Sequence, residues 1–232
     1  MKKIFIPLIL TGLLTSSALA TPPENLTCAK RAVIEYYNSG AYEKDVDTVV
    51  KDAEKYLMRR VAENKKAPQK KLAMVLDIDE TSLSNFSGNK KNDFSGLPHI
   101  IDTQYHEKSA TAIKPVLRLF NEAIKNGVTV FFVSYRPDEV RSQTISNLEK
   151  AGYHGWKTLY LPKGEELKLS AETYKTDIRK ILTDQGYNII LNLGDQDSDL
   201  AGGLAEHTDK IPNPLYTTSP VCEKRVCEAV EE

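Results

Sequence analysis

The run Leu72-Ala73-Met74-Val75-Leu76, broken by Asp77-Ile78-Asp79, constrains the fold more than any other part of this 232-residue chain. Five apolar residues without a polar break read as a strand buried on both faces, the kind that builds a parallel sheet. Two acids at its carboxyl end fall where open α/β sheets bind ligands. Taken alone, the pair allows a solvated turn, a metal site or an active site.

The rest of the chain extends the pattern. Residues 25–65 read as helical, with Val46, Val49, Val50, Ala53, Leu57 and Val61 on one stripe and a break at Ser39-Gly40. Asn64 to Lys71 is basic and polar, contains Pro68, and reads as a linker. From Leu72 the pattern predicts a strand to Ile78, then an irregular insert over 80–114. Pro115 opens a helix stopped by Gly127, and Val128 to Val133 is the next strand. Pro137 opens a helix ended by Gly152, Thr158 to Leu161 is a short strand, Ser170 to Gln185 a helix, and Asn188 to Leu193 the last clear strand. Alternation of this kind argues for a parallel sheet covered on both faces.

The chain ends carry different information. Lys2 and Lys3 precede the apolar segment Ile4 to Leu14, and Ala18-Leu19-Ala20 has the A-x-A form of a cleavage site. Residues 1–20 therefore read as a signal peptide, and the mature chain as periplasmic or secreted. Residues 21–71 then form an N-terminal helical segment, 72–220 the core, and 221–232 a tail. A formal net charge of −1, from 31 basic and 32 acidic residues, gives no ground for a nucleic-acid polymer as partner. No membrane contact is expected after cleavage, and a homo-oligomer is left open. Export is compatible with a disulfide among Cys28, Cys222 and Cys227, but any one pairing leaves an odd thiol. The C-x4-C spacing of Cys222 and Cys227 is weak as a zinc site.

Residues able to do chemistry sit at the element ends. Asp77 and Asp79 follow the first core strand, Ser134 the second, Lys175 lies early in a helix, and Asp195 and Asp199 follow the last strand. In a doubly wound sheet these loops converge on one edge. The set suits phosphoryl transfer, where catalysis is mostly positioning and electrostatics. A carboxylate nucleophile is repelled by a phosphate dianion unless a cation such as Mg²⁺ intervenes. Asp77, Asp195 and the backbone carbonyl of Asp79 can supply oxygens to that ion. Ser134 can donate a hydrogen bond to the phosphoryl oxygens, and Lys175 can place a charge on them. Asp77 would attack, and the Asp79 side chain would protonate the leaving oxygen and then deprotonate water. Asp199 reads as orienting Lys175 or a water on the ion, and Asp197 as a solvated turn residue. Arg136 and Arg179 read equally well as phosphate contacts and as structural ion pairs.

The motifs together resemble the HAD superfamily, in the branch of secreted acid phosphatases (subfamily IIIB) that holds bacterial class C enzymes, plant acid phosphatases and vegetative storage proteins. Asp77-Ile78-Asp79-Glu80-Thr81 with Leu83-Ser84-Asn85 matches the first motif, and Val133-Ser134-Tyr135-Arg136 the second. Tyr174-Lys175 with Arg179 matches the third, and Gly194-Asp195-Gln196 through Asp199, followed by Pro212-Asn213-Pro214, the fourth. Asn147-Leu148, Gly152-Tyr153 and Gly155-Trp156 are more similar to the plant branch, and Gly88 stands where class C enzymes usually carry an aromatic. The resemblance implies a HAD-like Rossmannoid α/β sheet with a small helical cap built from the N-terminal segment and the insert. It implies an exported, Mg²⁺-dependent acid phosphatase that hydrolyses small phosphate monoesters through an aspartyl-phosphate, with an acidic optimum. It also implies the roles: Asp77 and Asp79 catalytic; Ser134, Lys175 and Arg136 on the phosphate; Asp77, Asp79 and Asp195 on the metal; Asp199 and Arg179 in support. A phosphotransferase, or a non-catalytic storage or binding protein, shares the fold, though an intact Asp77 argues against the latter. The insert holds Phe86, Phe94, His99, Tyr105 and His106, whose aromatic rings could stack on a ring of the substrate or simply pack beneath the loop.

Overall fold

The computed structural model of the chain describes residues 24–66, 71–95, 103, 105–107 and 109–218. Residues 1–20, read above as a signal peptide, the tail with Cys222 and Cys227, His99 and residues 67–70 lie outside the described residues. Among the described residues, no helix is long and apolar enough to cross a membrane.

Five strands form one parallel sheet: β1 (Lys71–Leu76), β4 (Thr129–Val133), β5 (Thr158–Tyr160), β6 (Tyr187–Gly194) and β7 (Thr208–Lys210), in the order β5-β4-β1-β6-β7. The chain runs outward from β1 to β5, then returns to start β6 on the other side of β1. That reversal opens a crevice at the carboxyl ends of β1, β4 and β6. β7 was not read from the sequence. Thr208-Asp209-Lys210 has no apolar run, and its pairing with Asn192, Leu193 and Gly194 is what makes it a strand.

Period-2 alternation splits the strand residues between two cores. Met74, Leu76, Val130, Phe132, Leu191 and Leu193 face α2 (Ala41–Lys66) and α4 (Lys114–Lys125). Ala73, Val75, Phe131, Val133 and Ile189 face Tyr174, Ile178 and Leu182 of α6 (Ala171–Asp184), whose N-terminus Ser170 caps. The expected stripe on α2 buries Val46, Val50, Ala53, Leu57 and Val61. A fully buried leucine such as Leu57 contributes about 1.5–3 kcal/mol. The helix runs to Lys66, so the linker expected from Asn64 begins later than its polarity suggested. The helix expected after Pro137 starts as a 3-10 turn, Asp138–Val140, before α5 (Arg141–Lys150).

The described part of the insert holds more regular structure than the irregular segment expected. β2 (Leu83–Ser84) and β3 (Thr111–Ala112) pair antiparallel and close its base, with α3 (Phe86–Lys91) between them. α1 (Leu26–Asn38) holds it from outside. The Tyr37 ring stacks on Phe86 at 3.9 Å, and Lys30 meets Asp93 at 2.6 Å. The N-terminal segment thus divides its work: α1 meets the insert, whereas α2 is a layer of the core.

Candidate active site

The turn after β1 places the two acids. Asp77 N donates to the Leu193 carbonyl, which ties the start of the loop to β6. The Ile78 carbonyl then accepts from Ser82 and Leu83, so the chain doubles back within five residues. Glu80 takes the left-handed conformation this requires, with φ 54°, uncommon for a residue with a side chain. Ser134 and Arg136 follow β4, Lys175 lies in the second turn of α6, Asp195 follows β6, and Asp199 belongs to the short helix α7 (Asp197–Leu200). Seven of the eight expected site residues, all but Arg179, line one cleft of about 430 Å³, with Phe94 and Tyr105 of the insert, Tyr135 and Tyr216 among its aromatic lining.

Lys175 is the hub. Its ammonium lies 2.5 Å from an oxygen of Asp77 and 2.5 Å from one of Asp199, and all three side chains are buried. Carboxylate oxygens of Asp77, Asp195 and Asp199 fall within 4.8 Å of one another. Asp195 Oδ1 accepts from Thr81 at 3.0 Å, and its Oδ2 accepts from Asn213 at 2.8 Å and from Gln196. Asp77 Oδ2 meets no donor among the described residues.

This is an electrostatically unbalanced site. Burial, together with the charges of Asp199, Asp195 and Asp79, pushes Asp77 well above the usual carboxylate range against the pull of Lys175. Burial and the Asp199 charge push Asp195 up to about 6. Burial alone would lower Lys175, but Asp77 and Asp199 outweigh it and keep the ammonium charged. Three carboxylates against one ammonium leave a formal charge of −2. Hard oxygen donors with that charge fit a divalent cation such as Mg²⁺. Asp77 and Asp195 would hold it, with Asp199 close enough to share.

Asp79 behaves oppositely. Burial would raise it too, yet the Arg136 charge and hydrogen bonds, with Asn85, hold it below the usual carboxylate range. Arg136 spends its guanidinium there: Nε and Nη2 reach the two Asp79 oxygens at 2.8 and 2.6 Å. The structure places Arg136 on the Asp79 carboxylate; both an ion pair and a phosphate contact were read for it from the sequence. Arg179 sits elsewhere. It donates to the carbonyls of Asp199, Ala201 and Gly203, and so pins the loop that carries Asp199.

Some residues at the site carried no expected role. Glu80 is fully buried and accepts from Asn85 N at 2.6 Å and from the Tyr216 hydroxyl at 3.0 Å. Burial and the Asp79 charge beside it push Glu80 up to about 8. Asn85 and Asn213 were visible as motif residues, but their partners, Asp79 and Asp195, were not. Gly194 is required by contact: a Cβ there would overlap the Asp199 side chain. Gly194→Ala is therefore expected to cost about 1–3 kcal/mol through overpacking and to break the Lys175–Asp199 contact, read by chemical denaturation and a fall in turnover. Wild-type values for both would show that Asp199 has room to move.

The family model of the HAD superfamily, subfamily IIIB (acid phosphatase), matches residues 15–219. The chain belongs to that family. As a member it is a phosphomonoesterase of HAD type, and the cleft above is where the family motifs meet. This IIIB phosphatase is 36% identical to the stem 28 kDa glycoprotein of Glycine max over 192 residues, covering 80% of this chain and 73% of the relative. It is 35% identical to acid phosphatase 1 of Solanum lycopersicum over 147 residues, covering 61% of this chain and 57% of the relative. The class C acid phosphatase from Bacillus anthracis has the same fold, with a TM-score of 0.68 at 21% identity over 89% of this chain and 96% of that one.

Proposed function

We propose that this IIIB phosphatase is an exported, Mg²⁺-dependent enzyme that hydrolyses small phosphate monoesters through an aspartyl-phosphate on Asp77. The observation that carries the reading is the Asp77, Asp195 and Asp199 cluster, its oxygens within 4.8 Å of one another, with the Lys175 ammonium bridging Asp77 and Asp199. When bound, the cation supplies charge neutralisation between the carboxylates and the phosphate. Asp77 Oδ2, which meets no donor among the described residues, attacks phosphorus, and the bond to the leaving oxygen breaks. Lys175 and the Ser134 hydroxyl orient the phosphoryl oxygens. The Asp79 carboxyl gives its proton to the leaving oxygen, then takes one from the water that cleaves the aspartyl-phosphate.

Arg136 and Asn85 favour the ionised form of Asp79, which suits the second half-reaction. The first half-reaction needs Asp79 protonated, and acidic pH supplies that form. Phe94, Tyr105 and Tyr216 give the leaving group apolar surface, which favours aromatic esters. Export rests on Lys2, Lys3, the apolar segment from Ile4 and the Ala18-Leu19-Ala20 site.

Chelation tests the metal. Enzyme stripped with EDTA is expected to lose phosphate release, and added Mg²⁺ to restore it; full turnover in a rigorously chelated sample would sink the metal role. Stability gives a second readout. Asp195 is raised in the folded state from 3.8 to about 6, so its contribution is fully present below about pH 4 and is lost as pH rises through about 6. Mg²⁺ offsets that loss, so it should raise the melting temperature more at pH 7.5 than at pH 5.

A further inference from the structure

We propose that Arg136 is the positioning residue of Asp79, and that Tyr105 of the insert keeps Arg136 in that role; the proposal rests on the aspartyl-phosphate reading above. Arg136 is 3% exposed. Its Nε and Nη2 donate to Oδ2 and Oδ1 of Asp79 at 2.8 and 2.6 Å, a two-point grip that only the planar guanidinium fork can make. Nη1 donates to the Thr144 hydroxyl at 3.2 Å, so every nitrogen of the group has a partner. The Tyr105 ring covers the guanidinium, with Cζ 4.7 Å from the ring centroid.

Asp79 receives a third donor, Asn85 Nδ2, at 2.7 Å. Three donors from two directions fix the plane of the carboxyl group. A proton carrier must face the leaving oxygen within hydrogen-bond reach, so rotation of that plane takes it out of use. To bind phosphate instead, Arg136 would have to surrender a bond to Asp79. Asn85 and Tyr105 both belong to the insert, whose residues also wall the cleft. The acid–base group is thus gripped from the side on which substrate enters, and its alignment depends on the insert being in place.

The test compares Arg136→Ala, Arg136→Lys and Tyr105→Leu with the wild type, using p-nitrophenyl phosphate, an alkyl phosphate and inhibition by inorganic phosphate. An alkyl alkoxide needs its proton far more than nitrophenolate does. Arg136→Ala is therefore expected to lower kcat/KM by about 10²-fold on the alkyl ester and several-fold less on the aryl ester. The inhibition constant of inorganic phosphate should stay within about threefold, because binding of the product anion does not use the proton carrier. Guanidinium at tens of millimolar should restore part of the lost rate, whereas Arg136→Lys should not, since an ammonium cannot make the paired contact. Tyr105→Leu should show the same split between esters at smaller size.

A tenfold or greater weakening of phosphate inhibition by Arg136→Ala would overturn the proposal and make Arg136 a phosphate ligand. Equal losses on both esters with no guanidinium rescue would reduce it to a structural role. If Arg136→Ala does not fold, Tyr105→Leu decides: no split between the esters overturns the proposal. Asp77→Asn serves as the control. Wild-type turnover in that variant would remove the aspartyl-phosphate reading itself; with that control inactive, the other variants bear on positioning alone.

Discussion

Replacing Asp77 by asparagine is expected to lower phosphate release by on the order of 10⁴-fold or more while leaving the protein folded. The amide is close in size to the carboxyl group, so packing at the end of β1 changes little. It carries no negative charge and does not attack phosphorus, so no other group in the cleft can replace it. Asp195 and Asp199 already serve other donors, and Asp79 is held by Arg136 and Asn85. Stability should move the other way from activity. Asp77 is buried among Asp79, Asp195 and Asp199, which push it above the usual carboxylate range despite Lys175. Its folded pKa is raised, so its contribution is lost as pH rises, and at neutral pH removing the charge relieves repulsion. Lys175 keeps Asp199 as a partner. The variant should therefore melt at or above the wild-type temperature at pH 7.5 without divalent cation, and be inactive in a phosphate-release assay. Turnover near wild type would mean that another nucleophile operates.

The parts of the molecule legible in the sequence are those where one local signal decides the outcome. The apolar runs ending at Leu76, Val133 and Leu193 are strands because nothing else buries such stretches, and the parallel sheet follows from the helical patterns between them. Asp77, Ser134, Lys175 and Asp195 could be named because each sits at an element end that the fold sends to the crevice. What depends on a partner far away in sequence was not legible. β7 is polar and exists through its register with β6. The β2–β3 ladder has two residues on each side, too short for any periodicity to show. Arg136 is separated from Asp79 by 57 positions, and Tyr216 from Glu80 by 136, so neither contact leaves a local trace. Glu80 shows the same limit from another side. Its residue type predicts a solvated carboxylate, and only the fold reveals a buried one beside Asp79.

The hub of the site offers the largest combined effect on stability and rate. Lys175→Met keeps an unbranched side chain one heavy atom shorter and removes its charge. At neutral pH it leaves Asp77 and Asp199 facing each other without the ammonium now 2.5 Å from each, and breaking a buried pair in this way costs about 3–5 kcal/mol. The cost should depend on pH in a defined direction. Asp77 and Asp195 are already raised with Lys175 present, and its removal raises them further. Groups raised in the folded state give stability at low pH that is lost as pH rises through their folded values. The stability deficit of the variant, measured by chemical denaturation, should therefore be smaller at pH 5 than at pH 7.5. A deficit unchanged between the two would mean that packing around the lysine stem, not charge, accounts for it. Activity should fall by about 10²–10³-fold, since the ammonium that balances the nucleophile also orients the phosphoryl oxygens. High Mg²⁺ should recover part of the stability but little of the rate, because added positive charge restores balance among the carboxylates without restoring a donor at the Lys175 position.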